Sequence, residues 1–187
     1  MDRRVVGFAA LVVFAAVTGV GGKAVGMPPN VELLMPFVLA AGLVGGPAYG
    51  FATGFAIRGA YDVYLGWAGP WTIMTIIAYG LTGAMAGLAG SWWGMRKRSE
   101  IVLLAGIAAL FYDVITMFAG ELFFPMSIPA LIIGQVPFSV NHAASSMLFC
   151  FVLVPYISKV VADFNQPVEL RVGVPAPVCV EVENEGG

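Results

Sequence analysis

Pro29-Asn30-Val31-Glu32, an apolar run to Leu43, the break Gly45-Gly46-Pro47, an apolar run carrying Arg58 and Asp62, the turn Gly66-Trp67-Ala68-Gly69-Pro70-Trp71-Thr72, and a glycine-ridged run to Trp92-Trp93 make up the third of the chain that decides its fold. Three apolar segments are separated here by turn signals, yet two ionisable residues sit inside one of them. A charge at membrane depth costs about 2.5–3.5 kcal/mol on insertion scales, so it is rarely left facing lipid. Arg58 and Asp62 stand four residues apart, on one face of a helix, where they can pair. Such a pair either fixes helix packing or lines a polar cavity.

Working outward, the whole chain has the same character. Of its 187 residues 59% are hydrophobic and 11% charged, far from the balance of a soluble domain. The reading is an all-α, polytopic membrane protein. Each span needs about 20 apolar residues to cross a hydrocarbon core of about 30 Å, so the length accommodates a six-transmembrane-helix bundle over residues 1–162 and a polar tail over 163–187. The formal net charge of −2, with no extended basic cluster, argues against nucleic acid as a partner. Cys150 lies in an apolar segment and Cys179 in the tail, which does not suggest a disulfide or metal framework. A single histidine and no H-E-x-x-H spacing leave no metal or cofactor site to propose.

The first span runs from about Val5 to Val20 behind Arg3 and Arg4. A signal-peptide reading with cleavage near Ala24-Val25-Gly26 competes, but the apolar segments that follow need a first span to orient them. Ala15 and Gly19 form a small-xxx-small pair that permits close helix approach in lipid. The second segment, Val31 to Leu43, is too short to cross comfortably and must tilt, start below the surface or line a crevice. The third, Pro47 to Tyr64, has proline at a first-turn position and the pair Gly50 and Gly54. The fourth, Thr72 to Trp92, carries Gly80, Gly83, Gly87 and Gly90 along one ridge, which requires a neighbour against it. The fifth, Ile101 to Phe118, contains Tyr112 and Asp113. Met126 to Gly134 is too short to span and reads as an interfacial or re-entrant connection. The sixth starts near Pro137, holds Asn141 and His142 in its first turns and runs to about Val161. In the tail, alternating valines on either side of Pro175-Ala176-Pro177 have the pattern of a small hairpin, although a lone hairpin is marginal in water and a flexible tail is the competing reading.

Arg3 and Arg4, the cluster Arg96-Lys97-Arg98 and Lys159 flank the spans on one side, so the positive-inside rule places both termini in the cytoplasm. That orientation gathers Asn30, Glu32, Arg58, Asp62, Trp71, Asp113, Asn141 and His142 toward the outer face as candidate substrate-binding residues, with Glu121 near them. Tyr61, Tyr64, Trp67, Tyr112, Phe123 and Phe124 accompany them, as suits a pocket that stacks a flat or amphipathic ligand. An interfacial aromatic belt explains the tryptophans equally well. It does not explain the charges.

The order Pro29-Asn30-Val31-Glu32, then Gly46-Pro47 with Gly50-Phe51, then Gly69-Pro70-Trp71-Thr72, then Pro137-Phe138 with Asn141-His142-Ala143 resembles the substrate-binding S component of energy-coupling factor (ECF) vitamin transporters, over about Val5 to Val161. The resemblance implies a six-helix protein that binds a vitamin or related micronutrient near the outer face. It also implies docking on a transmembrane coupling protein and ATPase subunits that drive uptake. The pattern is most similar to members assigned to cobalamin or left unassigned, with riboflavin and other vitamins open. Members often carry an alanine pair four apart on the first helix for docking. Ala15 and Gly19 stand near its place, a departure that leaves the docking surface open.

The chain has no G-x-x-x-x-G-K-S/T loop, since Gly21-Gly22-Lys23-Ala24 lacks the spacing and the hydroxyl. Active transport would therefore draw on a partner or an ion gradient. A self-sufficient secondary transporter or channel is the first alternative, for which repeated halves and broken helices would be expected. A membrane hydrolase using Ser145 or Ser146 with His142 is the second, and the reading favours a non-enzymatic protein because no third, orienting group is visible.

Overall fold

The computed structural model describes residues 2–28, 30–95, 97–123 and 125–165. Pro29, Arg96, Phe124 and the tail residues of the expected hairpin lie outside them. The described residues are all-helical, with α1 Arg3–Ala24, α2 Met35–Tyr64, α3 Thr72–Trp93, α4 Arg98–Glu121 and α5 Ile128–Asn165. All five helices are long and apolar enough to cross a membrane, which is compatible with a multi-pass membrane protein. Much of the outward surface is apolar too, including Val13, Phe14, Val17, Leu103, Phe118 and Leu148.

The second and third segments read from the sequence are the two arms of one element, α2, joined at Gly46. That residue has φ 83° and ψ 179° inside an otherwise helical run, and Pro47 follows it. Only glycine adopts such a conformation without strain. The two arms fold back on each other. A Cβ added to Gly50 would stand 2.7 Å from the Gly42 Cα, whereas eight residues of straight helix separate two Cα atoms by ~12 Å.

Both arms then lie on the glycine ridge of α3. Gly83 meets the Gly50 carbonyl and the Val38 side chain, Gly87 meets Gly46 and Pro47, Gly90 meets Leu43, and Gly54 meets the Tyr79 carbonyl. The second arm thus runs antiparallel to α3 and the first runs parallel to it. Without side chains on either surface the backbones touch, which is how helices associate where lipid removes the hydrophobic drive between them. As a result the first arm is enclosed by protein. Met35 to Gly42 are all buried.

Sequence and structure also differ at α5. The stretch expected as a re-entrant connection before Pro137 forms its first turns, and Pro137 and Pro155 both lie inside the helix. Ile128, Ile132, Ile133, Val136 and Val140 are exposed, so this end of α5 projects from the bundle with little packing. At the other end of the molecule Arg3 stacks on Phe164, 5.9 Å from the ring centroid, and Gly7 lies under the same ring. The start of α1 and the end of α5 therefore share one end of the bundle.

Candidate functional site

At the opposite end, the connection from α1 to α2 turns inward instead of spreading over the surface. Asn30 takes a positive φ of 67°, a conformation asparagine tolerates better than most residues. The chain then drops Leu33 against Gly22 and Leu34 against Gly19. Glu32 closes the turn, its Oε1 accepting the Leu34 N–H at 2.6 Å, where an acid also suits the N-terminal end of a helix. Ser145 of α5 clamps the same turn: its Oγ accepts the Glu32 N–H at 3.0 Å and lies 3.1 Å from the His142 carbonyl.

Two ionic groupings face this turn. In the first, Arg58 and Asp62 pair one helical turn apart on α2, with Nη2 3.0 Å from Oδ1 and Nε donating to Oδ2 at 3.2 Å. The Thr75 hydroxyl also donates to Asp62, at 3.2 Å. The guanidinium lies over Tyr61 and Tyr79, so its plane is held by rings and its edge by the carboxylate. In the second, His142 Nδ1 is 2.7 Å from Asp113 Oδ1 and Nε2 is 3.9 Å from Glu32 Oε2. Tyr112 and Phe138 meet the imidazole edge-on, at 5.6 and 5.8 Å between centroids, while Tyr79 packs edge-on against Tyr112 at 4.8 Å. Asp62, Asp113 and His142 are each at most 2% exposed.

These groupings border a cavity of about 150 Å³ lined by Gly19, Gly22, Lys23, Met27, Asn30 to Leu34, Arg58, Tyr61, Trp67, Tyr112, Phe138 and His142. Of the expected site residues, Asn30, Glu32, Arg58 and His142 line it, and Asp62 and Asp113 stand behind Arg58 and His142 as their partners. Trp71 and Asn141 do not line it. The Trp71 ring packs over Gly69 in the α2–α3 turn, and Asn141 is exposed beside the buried His142, since consecutive helical residues point about 100° apart. The aromatic wall comes from Trp67 in place of Trp71, with Tyr61, Tyr112 and Phe138.

Ala15 and Gly19, expected to face a partner, are buried within the chain. A Cβ on Gly19 would stand 2.7 Å from Leu34 and 2.9 Å from Tyr61, so the close approach this pair permits brings α2 and the cavity wall onto α1. Lys23, Met27 and Leu33 have no distinctive signal in the sequence and reach the cavity only because the connection folds inward. The hydroxyl of Ser145 is engaged by backbone groups, and that of Ser146 is buried without a hydrogen-bond partner among the described residues. Neither pairs with the imidazole as a nucleophile would with its base.

The cavity can hold a compact group with one polar edge and an aromatic surround. At about 150 Å³ it matches the size of a cavity that takes a single benzene ring, below the roughly 300–1,000 Å³ of pockets for drug-sized ligands. The groups present can supply a guanidinium already paired with Asp62 (Arg58), a carboxylate (Glu32), an imidazole nitrogen (His142) and a movable ammonium (Lys23). Comparison with known proteins adds no relative to this geometry: no family model, no curated protein and no solved structure matches the chain.

Proposed function

We propose that the chain is a membrane-embedded substrate-binding protein for a small micronutrient, working as the S component of an ECF-type uptake system. In this reading both termini are cytoplasmic, six helical segments cross or enter the bilayer with the two arms of α2 counted separately, and the cavity faces outward. The observation that carries it is the presence, at one end of an apolar bundle, of a cavity edged by Glu32, Arg58 and His142. Maintaining those groups inside an apolar bundle is expensive, and a structural ion pair alone would not require a cavity beside it. The motif resemblance supplies the partners, a coupling protein and ATPase subunits, and the lack of a nucleotide-binding loop in this chain accords with energy coming from them. The cavity volume favours a single-ring compound over the cobalamin or riboflavin class.

A self-sufficient secondary transporter is the second reading, favoured by the break in α2, since such transporters use discontinuous helices at their sites. The break at Gly46 lies against Gly87, at the end of the bundle remote from the cavity, where it makes a turn and not a binding site. The test is twofold. Native mass spectrometry of the chain extracted in mild detergent should release one bound compound of small mass, and the chain reconstituted alone in vesicles should not concentrate that compound. Uphill accumulation by the chain alone would overturn the partner-driven reading, and an empty chain would count against the binding role.

A further inference from the structure

We infer that the cavity selects a compact ring compound carrying an amino, ammonium or amidinium group whose N–H bonds bridge His142 and Glu32. The inference rests on reading the cavity as the substrate site and names the chemistry that this site recognises.

The first step is the tautomer of His142. Its Nδ1 is 2.7 Å from Asp113 Oδ1, and an ionised carboxylate can only accept, so Nδ1 carries the hydrogen; in the neutral ring that makes Nε2 an acceptor. That Nε2 atom is buried and has no hydrogen-bond partner among the described residues. It faces Glu32 Oε2 at 3.9 Å, beyond hydrogen-bond length. Two acceptors therefore converge on one point of the cavity. A nitrogen ~2.9 Å from each can donate one N–H to each partner, and a group with fewer than two donors leaves one of them unmet. A buried acceptor without a donor carries a desolvation cost, which a ligand with two N–H bonds recovers on binding.

The second step is charge. Around the cavity stand the carboxylates of Glu32, Asp62 and Asp113 and the bases Arg58 and Lys23. With the imidazole neutral, three acids against two bases leave one negative charge uncompensated. Arg58 is turned to Asp62 by two contacts, and among the described residues the base within ion-pair distance of Glu32 and Asp113 is His142. The Tyr79 hydroxyl is buried without a hydrogen-bond partner among the described residues. Tyr61, Trp67, Tyr112 and Phe138 complete the surround, and aromatic faces favour a cation over an anion.

The test uses the purified full chain in lipid nanodiscs and three probes of similar shape: benzylammonium, benzyl alcohol and benzyltrimethylammonium. Benzylammonium should raise the unfolding temperature in a saturable way, while the other two bind at least about tenfold more weakly for want of two donors. Glu32→Gln keeps an oxygen for the Leu34 N–H and should remove the preference, and His142→Gln should weaken benzylammonium without reversing it. Because His142 is the only histidine in the chain, nitrogen NMR of histidine-labelled protein reads its ring directly. Nε2 should be unprotonated in the ligand-free chain and shift on adding benzylammonium. A protonated Nε2 before ligand is added, binding of benzyl alcohol or benzyltrimethylammonium as tight as that of benzylammonium, or unchanged preference in Glu32→Gln would overturn the amino-group inference while leaving the binding role intact. If no single-ring compound of any charge shifts the parent or its histidine signal, both the inference and the binding role fail.

Discussion

Replacing Arg58 by methionine separates what the Arg58–Asp62 pair contributes from what its loss exposes. The parent pair has an ionic contact at 3.0 Å and a hydrogen bond at 3.2 Å, and Asp62 is 1% exposed. Arg58→Met leaves that carboxylate with the Thr75 hydroxyl as its remaining side-chain donor among the described residues. Breaking a buried pair in this way costs about 3–5 kcal/mol, whereas replacing both partners with apolar groups of similar volume is often neutral. At about 2–4 °C per kcal/mol for chains of this size, the single variant should melt roughly 6–20 °C below the parent. The double variant Arg58→Met with Asp62→Leu should recover most of that loss. Thermal unfolding in one detergent, followed by the fluorescence of the four tryptophans, gives all three values. A single variant as stable as the parent, or a double variant no better than the single, would refute the reasoning that an uncompensated buried charge dominates.

Gly83→Val should cost at least about 1–3 kcal/mol by forcing α3 off both arms of α2, while Gly21→Ala, where a Cβ meets nothing within 4 Å, should be neutral or slightly stabilising in the same melting assay. Trp71→Ala and Asn141→Ala should each leave benzylammonium affinity within about twofold, and Trp67→Ala should lower it by roughly 3- to 10-fold through the lost aromatic contact; equal effects at positions 67 and 71 would move the aromatic wall to the turn. In a background of Cys150→Ala and Cys179→Ser, a cysteine at Ala68 should react with an impermeant maleimide on intact cells and one at Ser99 only after permeabilisation. The reverse pattern would turn the cavity toward the cytoplasm.

What the sequence makes legible here is relative placement along a helix. Glycines spaced three, four and three must share a face, so the ridge of α3 and its need for a neighbour follow from spacing alone, as does the pairing of Arg58 with Asp62. Which neighbour fills the ridge does not follow. The first arm of α2 is apolar on every side because protein surrounds it, and a segment without an amphipathic stripe carries no signal of direction. Ala15 and Gly19 announce a close approach without saying whose, and at Gly19 the approach is made by Leu34 and Tyr61 of the same chain. Asn141 and His142 are adjacent polar residues, and only the rotation of α5 against α4 decides that His142 turns inward. The tryptophans at 67 and 71 lie in a turn with no helical periodicity, so periodicity could not choose between them. Helix α5 is longer than its apolar run suggests because Pro137 is tolerated within it at the weakly packed end.

The fold-back at Gly46 bears on how such a chain enters a bilayer during synthesis. From Met35 to Gly45 the first arm of α2 rises only ~16 Å, about half of a hydrocarbon core, and its residues from Met35 to Gly42 are buried in protein. It therefore cannot settle in lipid as an independent segment. The hypothesis that follows is that both arms insert together as a re-entrant pair and acquire their final depth when α3 emerges and the ridge from Gly80 to Gly90 closes over them. Chains truncated after Gly46 and after Trp93, scored by a glycosylation reporter in microsomes, should differ accordingly, the first poorly integrated and the second fully so. Full integration of the shorter chain would argue that the arm stands alone. The order of synthesis then becomes part of the folding mechanism, with the glycine face of α3 as the late template onto which an already inserted but unanchored hairpin is sorted.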